Sequence, residues 1–243
     1  MVDNYYTRKS LNIGELYFLL DTKFNECNNS KRGMYITYYK QNYKQNYKQN
    51  YKQNYKQNYT RIFENLIVPR SLFLDDEKNG GIYAVPIVIL VSGDISICHY
   101  NMLIINFSKR TVERFEPVNS YHYKNLDKLL QMCFCERGYK YKMSQNDGPQ
   151  YFEMSEIGKT SNCGYWVLYF LDFRLKNKTL SFDKVMEKCR IMLLENGAHN
   201  IMKKYKDILT NYLKQNKSVD YYKSRINYEF YNRCLLDYYT YKI

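Results

Sequence analysis

The sequence predicts an α+β domain in which a mixed sheet packs against a helix that opens on a cysteine. Three observations carry that prediction. Apolar, β-branched runs occupy 80–92, 95–107 and 110–117, the first bounded by glycines. Residues 123–138, 181–197 and 200–216 instead place apolar side chains at helical spacing. Ahead of the last two lies CGYWVLYFLDFRLKN (163–177), apolar on most sides, as a buried helix is.

In chain order, residues 1–38 read as an N-terminal extension. They begin MVDNYYTRKSLNIG, without the apolar stretch of a secretory leader. Residues 39–59 are five copies of YKQN and a closing tyrosine. In a helix, residues four apart drift by only about 40° per repeat, so Tyr39, Tyr43, Tyr47, Tyr51, Tyr55 and Tyr59 would form one slow ridge. The segment lacks an apolar face, so it is expected to be a helical or disordered insertion without chemistry of its own.

Residues 60–220 form the main domain. RIFENLIVPRSLFLDD (61–76) has mixed character, and GGIYAVPIVILVS (80–92) is a buried strand. The next two runs are joined by the short polar link Ser108–Lys109 and read as a hairpin. Leu126, Leu129, Leu130 and Cys133 mark a helix ending at Gly138, and YKYKM (139–143) is an edge strand. A polar loop leads to the cysteine helix. Ser181 is a good N-cap for the helix ending near Gly197, and an amphipathic helix follows over 200–216. The tyrosine-rich 221–243 is expected to be helical.

Composition narrows the functional classes. The seven cysteines are scattered and odd in number, which fits a reduced chain rather than a disulfide framework. Cys133 and Cys135 have no histidine near them, so no zinc site is expected, and nothing implies a cofactor. The longest apolar run is too short to span a bilayer and contains Pro86, so no membrane association is expected. The net charge of +13 allows weak nucleic-acid binding through a basic surface, although five of the lysines belong to the repeat.

Chemistry centres on Cys163. A cysteine opening a helix meets free N–H groups and the positive end of the helix dipole, which favour a thiolate. Gly164 would let a substrate carbonyl approach the backbone, and the Cys163 N–H would be one oxyanion donor. A thiolate needs a proton partner, and three histidines exist. His122 and His199 lie in polar junctions. His99 lies inside an apolar strand, where an imidazole is costly without a partner. The hairpin supplies one. A two-residue link makes 107 face 110, so His99 faces Val118 and is diagonal to Glu116 on the same side of the sheet. A register shifted by two would set His99 directly opposite Glu116, and an odd shift would separate them to opposite faces. Glu116 would then orient the imidazole and stabilise its charge.

The blocks HYNMLIINFSKRTVERFEP, GPQYFE and CGYWVLYFLDFRLKN together resemble a family of cysteine-peptidase-like proteins encoded by large DNA viruses. The order His–acid–Gln–Cys is also similar to that of the adenovirus protease and the SUMO- and ubiquitin-like-specific proteases. The resemblance spans roughly 82–215. It implies a papain-like fold of the ubiquitin-like-protease branch, with Cys163 as nucleophile, His99 as its proton partner and Glu116 as the acid. It also matches Asn101, Trp166 and Glu153, and makes Gln150 the second oxyanion donor. Trp166 is expected to be core packing, and Arg114 and Arg174 to form surface or structural pairs. Two departures stand out. Tyr100 replaces a small residue beside the histidine. Gln150 also lies farther from the cysteine than in the cellular and adenoviral enzymes, so the residues between must loop out if Gln150 is to reach the site. The implied activity is hydrolysis of peptide or isopeptide bonds in viral structural proteins or ubiquitin-like conjugates, in the host cytoplasm or the virion. The same triad can also serve acetyl transfer, and without catalysis the chain would be a basic binding module.

Overall fold

The computed structural model describes residues 11–25, 30–32, 36–45, 59–69, 71–74, 82–91, 98–118, 123–144, 147–216 and 238–242. Its architecture is mixed α+β. The strands are β1 (Ser30–Arg32), β2 (Ile36–Gln45), β3 (Tyr59–Pro69), β4 (Ile82–Val91), β5 (Cys98–Asn106), β6 (Thr111–Phe115), β7 (Lys140–Met143) and β8 (Tyr238–Lys242). The helices are α1 (Ile13–Asn25), α2 (Ser71–Leu74), α3 (Lys124–Cys135), α4 (Pro149–Ile157), α5 (Cys163–Lys176), α6 (Phe182–Asn196) and α7 (Ala198–Gln215).

The strands form one mixed sheet in the order β7-β6-β5-β4-β2-β3-β8, with β1 also on β4. β7 adds parallel to β6 at the edge. β1 pairs with Ile82–Ala84 and β2 with Ile87–Val91, so Pro86 falls in the gap between them. That gap is where a β4 residue without an N–H is tolerated on that side. The β5–β6 hairpin runs from Met102↔Phe115 to Asn106↔Thr111, and Arg110 N closes its turn by donating to Phe107 O at 3.1 Å. This is the register that sets His99 diagonal to Glu116.

Alternation along the strands divides two cores. Tyr100, Met102, Ile104 and Phe115 pack with α1, α5, α6 and α7 on one face. Leu103, Ile105 and Val112 pack with α3 on the other. α5 is tied to β6 at two heights. Arg174 Nε and Nη2 grip the two carboxylate oxygens of Glu113 at 2.8 and 2.9 Å. The rings of Phe170 and Phe115 stack with centroids 3.9 Å apart. The helix therefore runs against the strand direction. Its first residue, roughly 10 Å beyond Phe170, reaches past the end of β6.

Several expectations change. Residues 1–38 are not merely an extension: α1 carries Leu16, Leu19 and Leu20 into the main core. α1 opens with a capping box, in which Glu15 N donates to Asn12 Oδ1 and Asn12 N donates to Glu15 Oε2. The repeat is neither helical nor disordered over 39–45. Those residues lie in β2 and pair with 59–65, while 46–58 fall outside the described residues. A four-residue period fits the strand repeat of two as well as the helical turn, so the spacing could not discriminate. The expected C-terminal helix is contradicted over 238–242, which pair antiparallel with β3; 217–237 fall outside the described residues. The polar loop before Cys163 contains α4, which has Pro149 at its start and Gly158 at φ 83° at its end.

Candidate active site

His99 is the second residue of β5 and Glu116 immediately follows β6, so both sit at one end of the sheet. His99 Nε2 and Glu116 Oε1 are 2.7 Å apart. Glu116 is saturated otherwise. Val118 N donates to its Oε1 at 2.9 Å, and Asn101 Nδ2 and Arg114 Nη2 donate to its Oε2 at 2.8 and 3.1 Å. Arg114 Nε donates to Asn101 Oδ1 at 2.7 Å and its Nη1 to Asp127 Oδ2 at 2.7 Å. Tyr141 OH donates to Asp127 Oδ1. His99, Asn101, Arg114 and Glu116 share the sheet face that α3 covers, and the Tyr123 ring stacks on His99 at 5.7 Å.

Cys163 arrives from the opposite face, at the head of α5. Its sulfur lies near enough to the imidazole, around the sheet's end, to bear on the charge of the ring. Nε2 is committed to Glu116, which leaves Nδ1 as the other ring nitrogen. Burial disfavours the charged ring, but the Glu116 carboxylate and the Cys163 sulfur outweigh it and push the His99 pKa up to about 10. Glu116 is held below its ordinary range: burial opposes ionisation, but His99 and Arg114 override it. Burial first, and then the nearby Glu116 and Cys163 charges, push the Tyr123 phenol up to about 12. The ring of His99 is 19 % exposed, whereas Glu116 is 1 % and Cys163 6 % exposed. The imidazole is thus the member of the set nearest to solvent.

Gln150 sits in the first turn of α4, buried. Its backbone N donates to Pro117 O at 2.7 Å, and Gly148 N to Val118 O at 2.8 Å. α4 is thereby stitched to the segment that carries Glu116. The Gln150 Nε2 donates to Thr160 O and Oγ1 at 3.2 and 3.3 Å. Its Oε1 is buried without a partner among the described residues. The twelve residues after Gln150 do not loop out; α4 takes up most of them and returns the chain to Thr160.

Gly164 departs from expectation. A Cβ there would stand 3.3 Å from Leu11 Cβ and 3.4 Å from Tyr100 Cδ2, so that side is filled by core rather than open to substrate. Tyr100, the larger residue beside His99, fits because residue 164 has no side chain. Trp166 is fully buried as expected, and its Nε1 also donates to Glu153 Oε2 at 2.7 Å. Glu153 further accepts from Asn162 Nδ2 at 2.8 Å. Burial raises the Glu153 pKa against those bonds. Arg174 is the buried structural pair expected of it, while Arg114, expected to be surface or structural, lies at the centre of the site. A signal was available: Arg114 is two residues from Glu116 in the chain, as Asn101 is from His99. Asp127, Tyr141, Asn162 and Lys206 had no such signal.

Of the other cysteines, Cys133 and Cys189 are buried and Cys135 is exposed. His122 lies outside the described residues, and His199 Nδ1 is 3.9 Å from Glu153 Oε1, away from the triad. Among the described residues no helix is long and apolar enough to cross a membrane, and no group of three or more His, Cys, Asp or Glu could hold a metal ion. No family model, curated protein or solved structure matches this chain.

Proposed function

We propose that this protein is a cysteine peptidase that hydrolyses peptide or isopeptide bonds through Cys163, His99 and Glu116, on a papain-like fold of the ubiquitin-like-protease branch. The observation that carries the reading is the position of His99, held by a saturated buried carboxylate on Nε2 and close to a helix-opening thiol. A ring so held keeps its proton at neutral pH and can hand it to a leaving amine, while Cys163 attacks in its thiolate form.

In the first step Cys163 Sγ bonds to the substrate carbonyl carbon and the C=O π pair moves onto oxygen. The Cys163 N–H, free at the start of α5, donates to that oxyanion. Gln150 is the second donor, once its amide gives up one of its two long contacts to Thr160. The oxyanion then collapses, the C–N bond breaks, and the amine leaves with the His99 proton. Water, losing a proton to His99, adds to the thioester. The C–S bond breaks and the acid product leaves. The proposed substrates are viral structural proteins or ubiquitin-like conjugates, met in host cytoplasm or virion.

A vinyl-sulfone or acyloxymethyl-ketone probe tests the reading. Wild-type protein should be labelled at Cys163 and a Cys163→Ala variant should not. Equal labelling of the two would reject Cys163 as the reactive thiol.

A further inference from the structure

Glu153 is a fully buried residue of α4, and its carboxylate gathers donors from the segment that leads into Cys163. Asn162 Nδ2 donates to Oε1 at 2.8 Å, and Trp166 Nε1 and Thr160 Oγ1 donate to Oε2 at 2.7 and 3.4 Å. His199 Nδ1 lies 3.9 Å from Oε1. Asn162 is held from α7 as well, where the buried Lys206 donates from Nζ to its Oδ1 at 2.9 Å. Trp166 N donates to Asn162 O at 3.0 Å, so these two residues close the turn that contains Cys163. Thr160 in turn holds Gln150. Its O and Oγ1 accept from Gln150 Nε2, whereas Gln150 Oε1 is buried without a partner among the described residues. Among the described residues, then, Thr160 orients the Gln150 amide. A buried carboxylate is a costly way to pack α4 against α5, since apolar side chains would do so without desolvating a charge. Asn162 and Trp166 donate to different oxygens of Glu153, a pattern that a carboxylate satisfies and an amide in the same place does not.

We infer that Glu153 is a positioning residue for the oxyanion: one carboxylate fixes both the turn that carries the Cys163 N–H and the Thr160 support of the Gln150 amide, and so sets the two donors relative to each other. The inference rests on the peptidase reading, in which those two groups receive the oxyanion. Glu153 acts through Asn162, Trp166 and Thr160 and does not touch the reacting atoms. The protonation of the site is governed separately, by His99 and Glu116 from the other face of the sheet. Loss of the Glu153 carboxylate should therefore harm reactions that build an oxyanion and spare those that do not.

The test compares wild-type protein and Glu153→Gln with two thiol reagents. p-Nitrophenyl acetate reacts through an oxyanion: Cys163 Sγ bonds to the acetyl carbon, and nitrophenolate leaves with the electron pair of the broken C–O bond. Iodoacetamide forms its S–C bond as iodide leaves, and no oxyanion arises. Nitrophenolate release is read after subtracting that of Cys163→Ala, and alkylation of Cys163 is followed by peptide mass mapping. Glu153→Gln should slow acylation by about tenfold to 100-fold, the scale of a displaced oxyanion donor, and leave alkylation within about threefold of wild type. Trp166→Phe removes one of the Glu153 donors and should show the same selectivity with a smaller loss. It decides the matter if Glu153→Gln does not fold. Equal loss in the two reactions, loss of alkylation alone, or no loss in either overturns the inference. If the wild type releases nitrophenolate no faster than Cys163→Ala, the peptidase reading itself fails, which tells the two failures apart.

Discussion

Arg114, in β6, and Glu116, just past its end, form a buried ion pair 3.1 Å long, and each is 1 % exposed. The pair makes the acid of the site part of the fold. Arg114 is fixed in turn by Asn101 and Asp127, so the carboxylate that meets His99 is held from three elements. Removing one member of such a buried set is costly because its partner stays behind uncompensated.

Glu116→Gln should therefore destabilise the protein by about 3 kcal/mol, measured by urea unfolding. It should also lower the proposed peptidase turnover by about 100-fold or more, since His99 loses the charge that holds its proton. Unchanged stability would mean that Arg114 finds another counter-charge.

The His99 pair makes stability depend on pH in a defined direction. The folded-state pKa, about 10, lies above the unfolded value of 6.5. The contribution is therefore fully present below about pH 6.5 and is lost as pH rises through about 10. Glu116 has the opposite sign: its lowered pKa gives a contribution that is present above 4.5 and lost as pH falls through its folded value. The stability difference between wild type and His99→Gln should shrink steadily from pH 7 to pH 10. A difference that grows over that range would contradict the assigned charge state.

Gly148 permits a close approach that the site depends on. A Cβ there would lie 2.3 Å from Pro117 O and 2.4 Å from Glu116 O, both backbone atoms that cannot swing aside. Gly148→Ala should cost about 2–3 kcal/mol and displace the segment carrying Glu116, lowering activity as well. Gly158→Ala meets no atom within 4 Å and faces only the strain of φ +83°. It should cost about 1–2 kcal/mol and leave Cys163 reactivity unchanged. Thermal melts and alkylation rates of the two variants separate these effects.

Trp166→Phe keeps most of the buried ring but removes the Nε1 donor that serves Glu153. Glu153 is fully buried and keeps Asn162 as a close donor. The variant should be destabilised by about 1–3 kcal/mol, the cost of a buried acceptor losing its donor. A neutral effect would show that a water replaces the indole.

The part of the fold legible in the sequence was the part whose periodicity is unambiguous. β4, β5 and β6 read as apolar runs, and α3, α6 and α7 as repeats of one helical face. The link at Ser108–Lys109 was enough to place His99 and Glu116 on one side of the sheet, because a hairpin register follows from its turn. Counting could not show that α5 lies on the other face, so that thiol and imidazole meet only around the strand ends. α4 escaped notice because only Pro149, Gln150 and Glu153 in it are buried, and two of those are polar. The start of the repeat was misread because its period suits both helix and strand. Lys206 gave no warning, since a lysine on an amphipathic helix ordinarily faces water.

The most direct measurement is iodoacetamide alkylation at pH 6 of wild-type protein and a His99→Ala variant, with each cysteine mapped by mass spectrometry. An ordinary thiol is protonated and slow at that pH. Cys163 of the wild type should be modified well before Cys133, Cys135 and Cys189, and His99→Ala should abolish the lead. Modification of Cys163 at the same rate in both proteins would show that ring and sulfur do not act together.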